Sequence, residues 1–480
     1  FELVVSESQE RMTVAVPADK MTLFLALAER RAVEVSELGE FTDTGRFDVL
    51  FGERLIASID LQFLHKGNPQ LELVARFAPP AAFALPAGKE PQSANGTFED
   101  HGGKTLLALL GRPNIASKEW LIRQYDHEVQ GMSVVKPLHI VGAGTGSAWS
   151  GPNDAGVVKP KPSSEAGLAI GCGILPRLSD LDPYLMAQAS VDEAVRNILA
   201  VGAEFGNPDS VLSICDNFCW PDPVSDPAKM AALVRACYGL QDAALALHAP
   251  LVSGKDSMKN DFRGKRRGQP VTISVVPTLL ITAVGRVSDV RHARTADFKS
   301  VGDLIYLLRA ARPGLPGSEL EALASSRQEL HARGFAPGAE PGRPDWERAR
   351  KLYSWLGGTT GKLQPKLRSV HDVSEGGLLV AIAESCLARG VGADIAIPEE
   401  ESNPWQFAFG EGFHGFVVSV PEAEAQAFER EWAACEVPFV ALGSVTSEAR
   451  LGVKAKGGGG RFSVPVSDIR LAWLREGYWE

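Results

Sequence analysis

The chain has 480 residues and a formal charge of −10, from 49 Lys+Arg against 59 Asp+Glu. With 45% hydrophobic and 22% charged residues it has the composition of a folded globular protein, which excludes a disordered or fibrous chain, and its length allows roughly three domains. The acidic balance without a long basic run argues against nucleic acid as the main partner, and no apolar run is long enough to span a membrane.

In chain order, residues 1–75 predict the end of an α+β domain, closing on the strand-like LIASIDL. Residues 76–134 read as a linker. Its front, APPAAFALPAGKEPQSANG, is irregular, and its back carries the short helical patterns KTLLALLGR and SKEWLIRQYDHEV. Residues 135–290 predict an α+β domain with strands GLAIGCGI, DSVLSICDNF, APLVSG and VTISVVPTLLITAVG. Between these strands lie the helices PYLMAQASVDEAVRNILAVGA and AKMAALVRACYGLQDAALALH. A second α+β domain, 291–460, opens with the strand DLIYLL and contains the loop-to-helix segment HDVSEGGLLVAIAESCLARG. HARGFAPGAEPGRP is a predicted surface loop, and GGGG at 457–460 a flexible connection to the tail at 461–480. Cys172, Cys215, Cys219, Cys237, Cys386 and Cys435 stand mostly in apolar stretches without paired metal-ligand spacing. That is the pattern of reduced core thiols in a cytoplasmic protein.

The sequence repeats itself without gaps at an offset of 404 residues. Glu7 aligns with Glu411, Val14 with Val418, Val16 with Val420, Pro17 with Pro421 and Phe24 with Phe428. Farther on, Val33 aligns with Val437, Leu38 with Leu442, Gly39 with Gly443, Thr42 with Thr446, Arg46 with Arg450 and Val49 with Val453. Each copy predicts a strand (RMTVAV against GFVVSV), a helix and a second strand ending in Leu-Gly. The offset places most of a first copy before Phe1, so the chain reads as the back part of a duplicated protein.

Three segments could carry oxygen ligands. SVHDVSEGGLL sets an acidic residue, a hydroxyl and two glycines before an apolar helix, so that Asp372 can hold a cation and Ser374 a phosphate. The alternative is plain capping, with Ser374 as N-cap. Glu193 and Asn197 share one helical face, and the Asp182-Pro183 start leaves them in the helix interior. Such a pair suits a hard cation, although alone it reads as an exposed polar face. Asp154 in SGPNDAGVVKPKP precedes Lys159 and Lys161; its alternative is an ordinary Asn-Asp turn. GAGTGSAWSG is not followed by the helix of a dinucleotide fold. SGKDS has Ala249 where a P-loop needs glycine. Cys172 in IGCGI lacks the flanks of a nucleophile elbow, so no glutaminase site is recognisable. Eight of the nine histidines show no constellation, and His371 adjoins Asp372 only in sequence.

Taken together, SESQERM, GPNDAGVVKPKP, the segment from GLAIGCGI to AVGA, CDNF, SGKDSM and HDVSEGGL resemble the synthetase part of phosphoribosylformylglycinamidine synthase in order and spacing. The resemblance implies the α+β fold of aminoimidazole ribonucleotide synthetase in duplicated form. Each half would have a barrel-forming N-domain and an α+β C-domain, and the first half would be largely missing. It implies a ligase of purine biosynthesis in which ATP phosphorylates the amide oxygen of formylglycinamide ribonucleotide and ammonia then displaces phosphate. Mg²⁺, ATP as substrate and ADP in an auxiliary site would be its small molecules. The missing first half and a glutaminase domain or subunit would be its partners.

By the same resemblance, Asp154, Glu193, Asn197 and Asp372 match the metal shell, with Asn153 and Ser374 toward the nucleotide. Glu7, Ser8 and Gln9 match a substrate-contacting segment, and Gly254 and Ser257 match residues that reach toward the catalytic cleft. Lys255 stands where small members have a metal-binding Asn. A nucleotide-contacting Asp of those members falls on Ile214, with Asp216 two places later. The catalytic histidine is expected in the first half. The alternatives are another ATP-dependent enzyme of this superfamily and a non-catalytic nucleotide-binding scaffold.

Overall fold

The computed structural model describes residues 6, 10–78, 97–124, 128–141, 149–207, 210, 212–324, 330, 333–335, 339–358, 367–454 and 461–475. The chain divides into two units, Phe1–Glu72 and Leu73–Glu480.

In the first unit a 3-10 turn at Ala18–Lys20 runs into α1 (Met21–Arg30). An antiparallel hairpin follows, β1 (Arg46–Phe51) with β2 (Arg54–Asp60). Helix α2 (Leu61–Lys66) starts where the Asp60 carboxylate accepts the free backbone N–H groups of Gln62 and Phe63.

In the second unit α3 (Phe98–Leu110) and the single turn α4 (Glu119–Ile122) come first. Of SKEWLIRQYDHEV, the α-helical residues among those described are Glu119–Ile122. Strands β3 (Ser133–Val135), β4 (Leu138–Val141), β5 (Trp149–Pro152), β6 (Ala155–Val158) and β7 (Gly167–Ile174) lead to helix α5 (Pro183–Ala200). Then come β8 (Leu212–Cys219), helix α6 (Pro227–Leu247), β9 (Leu251–Ser257), the hairpin of β10 (Asp261–Arg266) and β11 (Gln269–Ser274), and β12 (Thr278–Val287). These build a six-stranded sheet of order β3-β6-β7-β12-β8-β9. VTISVVPTLLITAVG, expected as one strand, is split: residues up to Ser274 pair with β10, and those from Thr278 pair with β7 and β8. Pro277 stands in the break, where its missing N–H costs no ladder bond.

The remaining elements are β13 (Leu304–Arg309), α7 (Glu319–Leu323), α8 (Trp346–Gly357), β14 (Ser369–Asp372), α9 (Gly377–Leu387), β15 (Gly392–Ala396), α10 (Pro404–Phe409) and β16 (Gly415–Val420). The chain continues through α11 (Ala425–Ala433), β17 (Phe439–Thr446), β18 (Arg450–Lys454), β19 (Arg461–Pro465) and α12 (Val466–Leu474). They form a seven-stranded sheet of order β14-β16-β13-β17-β15-β18-β19.

The two sheets differ in covering, and their sequences differ accordingly. Every residue of β16 is buried, because Val418 and Val420 join one core while Val417 joins the other. A continuous apolar strand is what burial on both faces requires. β7 instead alternates buried and exposed along its whole length. Ala169 packs in the core shared with α5, whereas Leu168, Ile170 and Ile174 are exposed on the other face. Cys172 lies on that uncovered face and Cys237 on the outside of α6, so these two are exposed rather than core residues. All six thiols are free.

The repeat is also conformational. Pro17 and Pro421 each precede a 3-10 turn, Ala18–Lys20 and Glu422–Glu424, that runs into α1 and α11. The φ angles match at the same offset: 59° at Glu10 and 58° at His414, 55° at both Ala32 and Glu436, 158° at Gly39 and 156° at Gly443. RMTVAV, however, is not a strand. Its counterpart β16 is held between β13 and β14, whereas residues 11–16 pair with no strand among the described residues. Without ladder partners, an extended segment is not a strand.

Candidate cation and nucleotide site

The site is built around α5. Its N-cap is Asp182, whose side chain accepts from the Tyr184 N–H at 3.0 Å, and Pro183 occupies the first turn. From Leu185 to Ala200 every residue of this helix is buried, so its polar side chains must find partners inside the protein. Glu193 and Asn197 are therefore not on an exposed polar face. The helix lies close to β7 because glycines face it. A Cβ at Gly173 would fall 2.2 Å from Ser190 O and 2.9 Å from Glu193 Cβ, and one at Gly171 would lie 3.0 Å from Asn197 Cβ.

The four predicted cation ligands come from three segments, and the fold ties part of each. Asp154, in the bend between β5 and β6, accepts His371 Nδ1 at 2.6 Å and Asp372 N at 3.3 Å, both on Oδ1. Asp372, at the end of β14, accepts Arg196 Nη1 on Oδ2 at 2.8 Å. Glu193 accepts Ile174 N on Oε2 at 2.7 Å, and Asn197 donates Nδ2 to Cys172 O at 2.7 Å. Asp154 Oδ2 and Asn197 Oδ1 are left buried without a hydrogen-bond partner. A buried unpaired oxygen is costly unless a donor or cation meets it. Ligand atoms of Asp154, His371 and Asp372 lie within 4.8 Å of one another. Glu193 is not part of that close group; the four predicted ligands offer oxygen alone, which fits a hard divalent cation such as Mg²⁺.

The electrostatics agree. Burial, with Glu375 and Asp372 nearby, pushes the Glu193 carboxyl well above its ordinary range. Burial also raises Asp372, where Asp154 adds to the effect and Arg196 opposes it. Glu411 is raised by burial and by Glu375; it accepts Gly376 N at 2.7 Å and Glu319 N at 2.8 Å. Among these acids Arg196 is the central cation. Burial works against its charge, but Asp372 and Asp192 outweigh it.

Arg196 is itself held in place. Its Nε donates to Asp192 Oδ2 at 2.9 Å and its Nη1 to Val373 O at 2.9 Å. Asp192 also accepts the Tyr353 hydroxyl, His414 N at 3.0 Å and His414 Nδ1 at 2.6 Å. His414 Nε2 accepts Asp345 N at 3.2 Å, which leaves the ring proton on Nδ1, facing Asp192. Burial alone would raise the Asp192 carboxyl, but His414 and Arg196 overcome it and hold it down to about 2.

A pH dependence follows. Folded Glu193, Asp372 and Glu411 hold protons more tightly than they do in the unfolded chain, where carboxylates titrate at about 4. His371 is also raised well above its ordinary value: burial opposes the charge, and Asp154 and Glu384 overcome it. The folded state thus binds more protons, and its stability falls as pH rises. Asp192 has the opposite sign, but its contribution is complete above about pH 4 and fades only as pH falls toward about 2. Melting in chelator is therefore expected to move to lower temperature between about pH 5 and 7, with Mg²⁺ flattening the trend. A melting temperature that climbs over this range in chelator would contradict the assignment.

The other predicted residues are placed as follows. Asn153 donates Nδ2 to Lys136 O at 2.8 Å and accepts Ala296 N on Oδ1 at 3.2 Å. Ser374 is half-buried, and its carbonyl accepts Gly377 N at 3.0 Å. It is not the N-cap of α9. That position belongs to Gly376, in the left-handed region at φ 80°, with no side-chain cap. Gly254, Lys255, Ser257 and Asp216 form a second group on β9 and β8. A Cβ on Gly254 would meet Asp216 Oδ1 at 2.2 Å, so these two share a face, and Lys255 Nζ reaches Ser257 Oγ at 2.5 Å. Burial and Asp256 raise the Asp216 carboxyl. Glu7, Ser8 and Gln9 lie outside the described residues.

Sequence reasoning missed His371 and His414, both of which have constellations, as well as Arg196, Asp192, Glu384 and Glu411. It also missed Lys118, whose Nζ donates to Ala116 O at 2.5 Å and which lies in the field of Glu384 and Glu375. Alternation along β14, with Asp372 turned to Arg196 of α5 and His371 to Glu384 of α9, was the available signal.

Residues 152–287 match the family model described as the N-terminal domain of AIR synthase related proteins, and residues 300–456 match its C-terminal domain. The chain belongs to the AIR synthase related proteins. Within this family it is similar to phosphoribosylformylglycinamidine synthase subunit PurL of a Nocardioides species, at 31% identity over 98% of the chain and 56% of that relative. The same subunit of Anaeromyxobacter dehalogenans strain 2CP-1 is 32% identical over 98% of the chain and 57% of the relative. The chain thus spans little more than half the length of the relatives it matches. Thermotoga maritima PurL complexed with FGAR shares the fold, with TM-score 0.52 and 15% identity over 76% of this chain and 53% of that one. The α+β reading of an AIR synthase related chain agrees with these matches. Among the described residues no helix is long and apolar enough to cross a membrane.

Proposed function

We propose that this chain is synthetase machinery of phosphoribosylformylglycinamidine synthase, an ATP-dependent carbon–nitrogen ligase. In this reaction the amide oxygen of formylglycinamide ribonucleotide attacks the γ-phosphorus of ATP, releasing ADP and leaving an iminophosphate. Glutamine-derived ammonia adds to the activated carbon, and phosphate departs with the former amide oxygen, giving the amidine. The observation that carries the reading is the set of four oxygen-bearing side chains from three segments, with Asp154 Oδ2 and Asn197 Oδ1 left free.

Asp154, Glu193, Asn197 and Asp372 would hold Mg²⁺, which when bound neutralises nucleotide phosphates. Arg196 keeps Asp372 in register, and Ile174 N and Cys172 O orient Glu193 and Asn197. Asn153 and Ser374 would lie toward the nucleotide. We assign this particular site to ADP in an auxiliary role. At the repeat offset, the predicted substrate pair Ser8–Gln9 is replaced by Gly412–Phe413, and Phe413 is buried at 2% exposure. Glu7, Ser8, Gln9, Gly254, Lys255 and Ser257 would then serve a catalytic site other than this one.

The test is turnover. The purified 480-residue chain is expected to make no amidine from substrate, ATP and ammonia. Adding a first-half domain pair should restore ammonia-dependent activity, and glutamine-dependent activity should also need a glutaminase. Steady turnover by the chain alone would overturn this division of labour.

A further inference from the structure

Asp154 is the ligand held least by its own segment. It sits in a bend, and its anchored oxygen, Oδ1, is fixed from outside by His371 Nδ1 and Asp372 N. His371 and Asp154 are 217 residues apart in sequence, and their side chains are 7% and 2% exposed. The other ring nitrogen of His371 faces Glu384 Oε2 at 3.1 Å. Glu384 lies on α9, the helix whose N-terminal turn directly follows Asp372 and Ser374. An imidazole bonded at both nitrogens cannot rotate without breaking one bond, so its orientation and that of the carboxylate it holds are fixed together.

We propose that Glu384 and His371 form a positioning relay that clamps Asp154 Oδ1 and thereby aims the free Asp154 Oδ2 at the cation. His371 is then a positioning residue, not a ligand, because both of its nitrogens are spent on carboxylates. The relay also joins the cation site to α9. The same helix thus presents its N-terminus beside Asp372 and, about two turns later, steadies Asp154 through Glu384. This inference rests on reading the acidic cluster as a cation site.

The test uses the full chain, freed of nucleotide, with Mn²⁺ as probe and free Mn²⁺ measured by electron paramagnetic resonance with and without ADP. Disturbing an outer partner of a metal ligand typically costs about 10–100-fold in metal affinity. His371→Leu is expected to weaken Mn²⁺ binding by about that factor. His371→Asn, whose amide N–H can replace Nδ1 toward Asp154, should recover most of the affinity while breaking the link to Glu384. Glu384→Ala leaves the ring in place but unclamped and should fall between the two; it also provides a second measurement should His371→Leu fold poorly.

Parental affinity in both His371→Leu and Glu384→Ala would overturn the relay. So would equal losses in His371→Leu and His371→Asn, since the ring would then only fill space. A parent that takes up no Mn²⁺ would overturn the cation site itself, an outcome distinct from failure of the relay alone.

Discussion

Replacing Arg196 with methionine is expected to destabilise the cation-free protein by about 3–5 kcal/mol, the cost of removing one partner from a buried ion pair. Arg196 is 1% exposed and bonds Asp192, Asp372 and Val373 O. The methionine fills much of the same volume, so the loss would come from charge rather than a cavity. The two acids would suffer unequally. Asp192 keeps His414 and Tyr353, whereas Asp372 loses its cation beside Glu193 and Asp154. Mg²⁺ should therefore recover part of the loss, because a cation at the cluster replaces the charge that Asp372 has lost. Denaturant unfolding of parent and variant, with Mg²⁺ and with chelator, measures both effects. Parental stability in Arg196→Met would show that the acids are not held ionised by this guanidinium.

The second large effect concerns ligand-induced stability. A ligand that binds only the folded state adds RT ln(1 + [L]/Kd), about 2.7 kcal/mol at a hundredfold excess over Kd. Mg-ADP is expected to raise the melting temperature of the nucleotide-free chain, and ADP with a chelator to raise it much less. Asp372→Asn keeps the shape but removes a charged ligand, and should lose most of this response. The same variant relieves repulsion from Glu193 and Asp154 but weakens the pair with Arg196, so its response to Mg-ADP is measured against its own ligand-free melting temperature. A lost response on that baseline separates a ligand from a merely structural acid. Equal responses in parent and Asp372→Asn would return these residues to the role of turn formers and caps.

Much of this arrangement was legible in the sequence because it is local. Asp182-Pro183 marks the start of α5, and the alternation in GLAIGCGI matches β7 residue for residue. The offset of 404 proved conformational as well as chemical, down to the positive φ values at Glu10 and His414. Asp154, Glu193, Asn197 and Asp372 each have an ordinary reading as a turn, a cap or an exposed polar face, and only the family resemblance joins them into one set. What local pattern could not show was pairing across the chain. Nothing in HDVSEGG indicates that His371 meets Asp154, or that Arg196 bridges α5 to β14. Nothing local marks Asp192 apart from other helical acids, and only the burial of α5 from Leu185 to Ala200 forces a partner on it. RMTVAV carries a strand pattern but no ladder partner among the described residues, and VTISVVPTLLITAVG reads as one β-prone run yet serves two different sheets. In both segments the pairing partner, not the propensity, decides the structure.

The most direct test of the cation site is an anomalous-difference map from crystals of the full chain grown with Mn²⁺ and ADP. A peak flanked by Asp154 Oδ2 and Asn197 Oδ1, with Glu193 and Asp372 completing the oxygen shell and the ADP phosphates beyond it, is the predicted result. Bound ADP with the manganese peak elsewhere, or with no peak among these four side chains, would contradict it.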